Sequence, residues 1–316
     1  MSRHYGWQRA LDTQMDTVKW LAEDHGLVYT YGFMESIFDN PDNKTIITVM
    51  KHYTSAMYQA DTIYVTTDMM HILLQAAHDL PDDVVFDSHV LLSKRGFVLF
   101  EEPIEGIDRH GKTVVLHALL WELDRVAANE KQPDGSEVIM LYFMTDPMDF
   151  TDEANKEYFR LSTDHSFPIP PLLLAHIYPA FVGHELPVVS EVGTEIVVGL
   201  CKLFVAMQII AQQKIGAPIK LDPDRASRKR YHREWGKDAP DRIITLITLR
   251  RKSIKKDDHE PQKVEWSRRW VVQGFWRRQW YPKSQRHDWK YIHEYIKGPE
   301  DKPLIITERR IFNFRR

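Results

Sequence analysis

Charge in this chain is sorted by position. Residues 1–213 carry 14 Lys and Arg against 31 Asp and Glu, a net of −17, while residues 214–316 carry 28 against 14, a net of +14. A chain divided in this way either lays its basic end on its acidic part, where the two neutralise, or presents a cationic face to an acidic ligand. The overall net charge of −3 conceals this polarity. With 316 residues and 43% hydrophobic content, the chain is long enough for two domains and a sizeable core. The same balance excludes collagen, low-complexity disorder and a uniformly basic nucleic-acid coat. We expect an acidic body over residues 1–213 and a basic region over 214–316.

Cys201 is the only cysteine, so no intramolecular disulfide, zinc ribbon or dithiol motif is expected, and a reducing cytoplasm fits best. The first residues, MSRHYGWQRALDTQMD, lack the apolar core of a secretion signal. The most apolar stretch, residues 192–210, holds Glu195 and Lys202, whose charges would be costly in lipid, and it is expected to be a buried helix near 190–214.

Periodicity predicts an α+β protein. Trp7, Leu11, Met15, Val18, Leu21 and Ala22 recur at helical spacing, a second helix is expected over about 43–60, and a third follows Thr67-Asp68 and stops before Leu80-Pro81. Strand signals then take over at Val90–Leu92, Gly96–Glu101, Thr113–Leu123 and Glu137–Phe143, separated by turn clusters, and predict a central antiparallel sheet linked by hairpins. The runs Ile243–Leu249, Val264–Trp276 and Leu304–Phe312 read as three more strands, in a basic, Trp- and Arg-rich β region.

Six of the nine tryptophans follow residue 213, and Trp266, Trp270, Trp276, Trp280 and Trp289 fall within 24 residues, interleaved with cations. Single-stranded nucleic acid is bound by this pairing, because cations neutralise phosphates while rings stack on bases at roughly 1–3 kcal/mol per base. The expected contacts are Arg268, Arg277, Arg278, Arg286 and Lys290 at phosphates, with Trp270, Trp276 and Trp280 as stacking or supporting rings. Rows of rings and cations on one strand face also pack on each other, and the run Arg225–Arg233 suits either a phosphate-tracking helix or a solvated linker. Docking of the basic end on the acidic body is the third possibility.

Fifteen histidines do not make a metal site by spacing. His71 and His78 share a helix face without a carboxylate to complete a site, and His184-Glu185 lacks the second histidine of a zincin helix, since Val188 stands there. No phosphate-binding glycine loop occurs, and no cofactor is expected. His287 and His293, with Lys297, form the one cluster near the expected phosphate contacts that offers a base, an acid and a cation, which metal-free RNA cleavage needs.

Several segments resemble a known family. Leu80-Pro81-Asp82-Asp83, the strand Gly96–Glu101, the sheet through Trp121, the helix around Val198–Ile210 and the ending Arg268–Arg277, continued by Tyr281-Pro282 and Ile296–Asp301, resemble type V anti-CRISPRs that suppress production of their target nuclease. The ending also resembles uncharacterised proteins of actinobacterial phages and mobile elements. The resemblance implies recognition of a nascent or unfolded peptide segment and loss of the corresponding transcript, in a bacterial cytoplasm without membrane partners. In this picture the acidic part holds the peptide, and the basic part meets RNA or a ribosome–nascent chain complex. At Phe275 the family pattern carries a histidine, so no catalytic duty transfers to that position. Two other functions remain open from the residues alone: a metal-independent ribonuclease and a protein-interaction module without nucleic acid.

Overall fold

The computed structural model describes residues 6–22, 43–107, 113–125, 136–149, 171–186, 195–213, 215–216, 218–237, 239, 241–249 and 267–305; counts and absences refer to these residues. Helix α1 (Ala10–Leu21) buries Leu11, Met15, Val18 and Leu21, the periodic set seen in the sequence. Helix α2 (Asn43–Gln59) leads into strand β1 (Asp61–Val65), and helix α3 (Thr67–His78) follows at once. The Thr66 side chain does not cap α3; the Thr67 N–H instead donates to Glu101 Oε2 at 2.7 Å, so a carboxylate from the sheet closes the helix start.

Four long strands come next: β2 (Arg95–Ile107), β3 (Thr113–Arg125), β4 (Glu137–Thr145) and β5 (Leu173–Phe181). The expected strand at Val90–Leu92 is not formed, and Ser88–Val90 is a 3-10 turn started by the Asp87 carboxylate on His89 N–H. In β2 the register shifts between Leu99 and Ile104, where Pro103 has no N–H to give to the ladder. Helix α4 (Glu195–Ala211) is the buried helix expected near 190–214, and Lys202 escapes the core by reaching Leu80 O at 3.1 Å and the Asp82 carboxylate. Cys201 lies inside it, and burial pushes its thiol up to about 12. No described helix is long and apolar enough to cross a membrane.

The class is α+β, but the antiparallel sheet expected from the sequence is corrected to a mixed one. Strands β6 (Ile219–Leu221) and β7 (Ile244–Ile247) complete a seven-stranded sheet of order β5-β4-β3-β2-β1-β7-β6, in which β1 runs parallel to both β2 and β7. Parallel neighbours need a crossover, and α3 supplies it between β1 and β2. The sheet takes strands from both sides of residue 213. Helices cover both faces: α3 and α4 lie over Val98, Leu119 and Trp121, while α1 and α2 lie over Phe97, Leu99 and Leu120.

One buried group couples this core to acid. His117 on β3 accepts the Asp146 N–H at Nδ1 (3.1 Å), so its proton sits on Nε2, 3.0 Å from Asp149 Oδ2. Burial lowers the His117 pKa, against the opposing pull of Asp149 and Asp146. A histidine held below its unfolded value contributes stability that is full above about pH 6.5 and is lost as pH falls below it, at no more than about 1.4 kcal/mol per pH unit. The stability advantage of wild type over His117→Asn should therefore shrink between neutral pH and pH 5 in denaturant titrations. A constant advantage would show that His117 does not titrate with unfolding.

Candidate nucleic-acid interface

The basic end makes two structures. Helix α5 (Arg225–Trp235) holds the run Arg225–Arg233; Asp224 caps it by accepting from Ala226 N and Ser227 N at 2.7 and 2.9 Å, and these bonds keep its carboxyl below the usual range. Ser227 and Tyr231 are buried, Ser227 Oγ donates to Asp12, and the Arg230 guanidinium pairs with Asp16 and lies 3.8 Å from Asp12. The basic run is thus an ordered helix whose inner face is neutralised by acidic residues of α1, while Arg225, Arg228, Lys229 and Arg233 stay exposed.

The second structure is the hairpin of β9 (Phe275–Tyr281) and β10 (Arg286–Ile292), beside a small sheet of β8 (Arg269–Val272), β11 (Tyr295–Lys297) and β12 (Leu304–Ile305) in the order β11-β8-β12. Trp270 and Trp276 sit on different strands, separated by Gln273-Gly274, so they form no continuous row; Trp266 lies outside the described residues. Trp276 is a supporting ring: its Nε1 donates to Ala76 O at 2.7 Å and its ring lies 5.1 Å from buried Tyr291. The Gln213 amide, with its nitrogen toward the Tyr291 carbonyl, pairs with both backbone groups of Tyr291 at 3.0 and 3.2 Å and closes that edge of β10. Trp280 is 44% exposed, with its ring 4.9 Å from exposed His287.

Opposed residues of an antiparallel pair share a face. One face of the hairpin therefore carries Trp276, Arg278 and Trp280 opposite Tyr291, Trp289 and His287, and its Trp276 end packs on the body. The other carries Phe275, Arg277, Gln279 and Tyr281 opposite Ile292, Lys290, Asp288 and Arg286, with Asp288 paired to Arg286. Phe275 and Tyr281 are 42% and 38% exposed, and Arg277, two residues from Phe275 on the same face, is exposed as well. Arg277 stands directly across from Lys290, and among the described residues no carboxylate pairs with either. Like charges opposed on a sheet are destabilising, so this rung is not explained by folding. Arg268 and Arg278 also have no described ion-pair partner, and the Arg278 guanidinium lies 5.6 Å from the centre of the Trp289 ring. Lys297 sits 5.9 Å from the centre of the Trp270 ring.

His287 lies on β10 and His293 directly follows its end, while Lys297 closes β11. The structure brings His89, a residue the sequence did not single out, to Asp288 of the hairpin, and His89 and His287 line one cavity. His89 Nδ1 lies 2.6 Å from Asp87 Oδ2 and its Nε2 lies 3.4 Å from Asp288 Oδ1, while Arg286 Nε donates to Asp288 Oδ2 at 2.9 Å. This chain of charges ties the hairpin to the body. Burial raises the Asp87 carboxyl, but the bonds from His89 and the charge of Arg286 outweigh it and leave the group below the usual range. His71 and His78 are exposed on α3, and His184-Glu185 is not helical: His184 lies at a bend and Glu185 forms an isolated bridge with Val85. No described cluster of three or more His, Cys, Asp or Glu residues is placed to hold a metal.

Fold and interface together define an α+β body carrying a cationic, aromatic hairpin. No protein family matches the chain, and no curated protein matches it. The crystal structure of AcrVA2, a type V anti-CRISPR, is similar to it over 91% of this chain and 93% of that one, at 12% identity and a TM-score of 0.40. Similarity at that level shows neither a family nor an activity for this chain.

Proposed function

We propose that this chain is a phage- or mobile-element-type regulator that binds single-stranded RNA, alone or within a translating complex, through its C-terminal hairpin. The observation that supports the reading is the Arg277–Lys290 rung, two cations held opposite each other on the hairpin face that also exposes Phe275 and Tyr281. A phosphate between them removes the repulsion, and the flanking rings offer stacking surfaces to bases. Between residues 267 and 305, nine Lys and Arg face four Asp and Glu, so the surroundings add to the attraction. In this reading the acidic residues 1–213 take a protein segment, such as a nascent peptide, and the compartment is the cytoplasm of a bacterial host.

The test is binding of a fluorescent single-stranded RNA at several salt concentrations. Arg277→Ala/Lys290→Ala should weaken binding similarly for unrelated sequences and flatten the salt slope by about 1.4, at about 0.7 per lost phosphate contact. An unchanged slope would remove the rung from the interface. The same RNA incubated in EDTA tests the ribonuclease alternative, which predicts cleavage that is lost in His287→Ala.

A further inference from the structure

Between the hairpin and the body lies a cavity of about 300 Å³. Val84, Phe86, Val205 and Ile209 give it an apolar floor, and Trp289 forms part of its wall. Asp83, Asp87, His89, Arg278, Arg286, His287 and Asp288 supply its polar lining. Three carboxylates would ordinarily repel an anion, but two are already committed. Asp87 is held by His89, and Asp288 by Arg286 and His89. That leaves Arg278, laid against the Trp289 ring, as a guanidinium with no described carboxylate partner, and Asp83 as an exposed carboxylate with no described ion-pair partner.

We propose that this cleft binds one nucleotide, extruded from the RNA strand that crosses the outer face of the hairpin. The inference rests on the RNA-binding reading and adds a second contact to it. A nucleotide matches the cleft in each of its parts. The planar base suits an apolar floor bounded by an indole, the phosphate suits Arg278 beside His287, and a carboxylate at the rim accepts from an exocyclic amino group. The size is that of a small-ligand pocket at the lower end of the usual range. Uracil has no exocyclic amino group, so Asp83 favours adenine, cytosine and guanine over it.

The experiment uses the full chain and the four nucleoside 5′-monophosphates as separate probes in calorimetric titrations, with the fluorescent RNA measured in parallel. Saturable binding is expected, weakest for uridine monophosphate. Arg278→Ala, a change at an exposed position, should weaken it about tenfold, as loss of one charge-assisted contact does. Ile209→Trp, which fills the floor, should weaken it as well. Asp83→Asn should narrow the gap between uridine monophosphate and the other three, and Arg277→Ala/Lys290→Ala should leave mononucleotide binding unchanged while weakening RNA. Absence of saturable mononucleotide binding, or binding indifferent to Arg278→Ala, overturns the cleft; if RNA binding still responds to Arg277→Ala/Lys290→Ala, the hairpin reading survives. Loss of the response in both assays overturns both.

Discussion

Trp121→Ala is expected to lower the unfolding free energy by about 3–5 kcal/mol, the range for emptying an aromatic site in a packed core. Trp121 is fully buried on β3, its ring lies 5.5 Å from that of Phe204 on α4, and its Nε1 donates to Ser93 O at 3.0 Å. Gly96 stands opposite it in the ladder, where a Cβ would come within 2.2 Å of the indole, so the ring fills space that a neighbouring side chain would otherwise occupy. Alanine leaves a cavity on the face where α4 packs and strands the Ser93 carbonyl. Chemical denaturation of the variant checks this, and a loss below about 1 kcal/mol would mean that the layer collapses onto the space more readily than a native-density core does.

Gly274→Val is expected to release the hairpin while leaving the seven-stranded core folded. A Cβ at Gly274 would lie 2.2 Å from Tyr291 Oη, and Tyr291 is the buried residue through which β10 meets the body. Overpacking of this kind costs about 1–3 kcal/mol, and the strain falls on a two-stranded unit that is marginal when undocked. Amide hydrogen exchange should therefore quicken over β9 and β10 with little change in β3 and β4, and mononucleotide binding should fall with it because the cleft has lost one wall. Slowed or unchanged exchange in β10 would show that Tyr291 is not the anchor.

The parts that were legible in advance are those written in short-range periodicity. Leu11, Met15 and Val18 mark α1 as the projection of one buried face, while the near-continuous apolar runs through Phe204 and from Leu116 to Trp121 mark α4 and β3, which are covered on both sides. The hairpin was half legible. Interleaved Trp and Arg indicated a cationic aromatic surface, but which rings stay exposed depends on partners far away: Trp276 is claimed by Ala76 O, while Trp280, 44% exposed, has its ring beside that of His287. Arg230 looked like one more free cation until α5 laid it against Asp16.

What the sequence determined by itself is the main helices, the strands β2 to β4 and β7, and the opposite charge of its two parts, since hydrophobic period and charge are properties of neighbouring residues; β5 and β6 carried no local signal that was read. Only the tertiary structure decided that β1 lies between two parallel strands, one of them beyond residue 213, and that His89 from one loop meets Asp288 from the hairpin. Strand order and side-chain meetings of that kind depend on which distant faces bury each other best, a choice made over the whole chain at once, and local pattern carries no record of it.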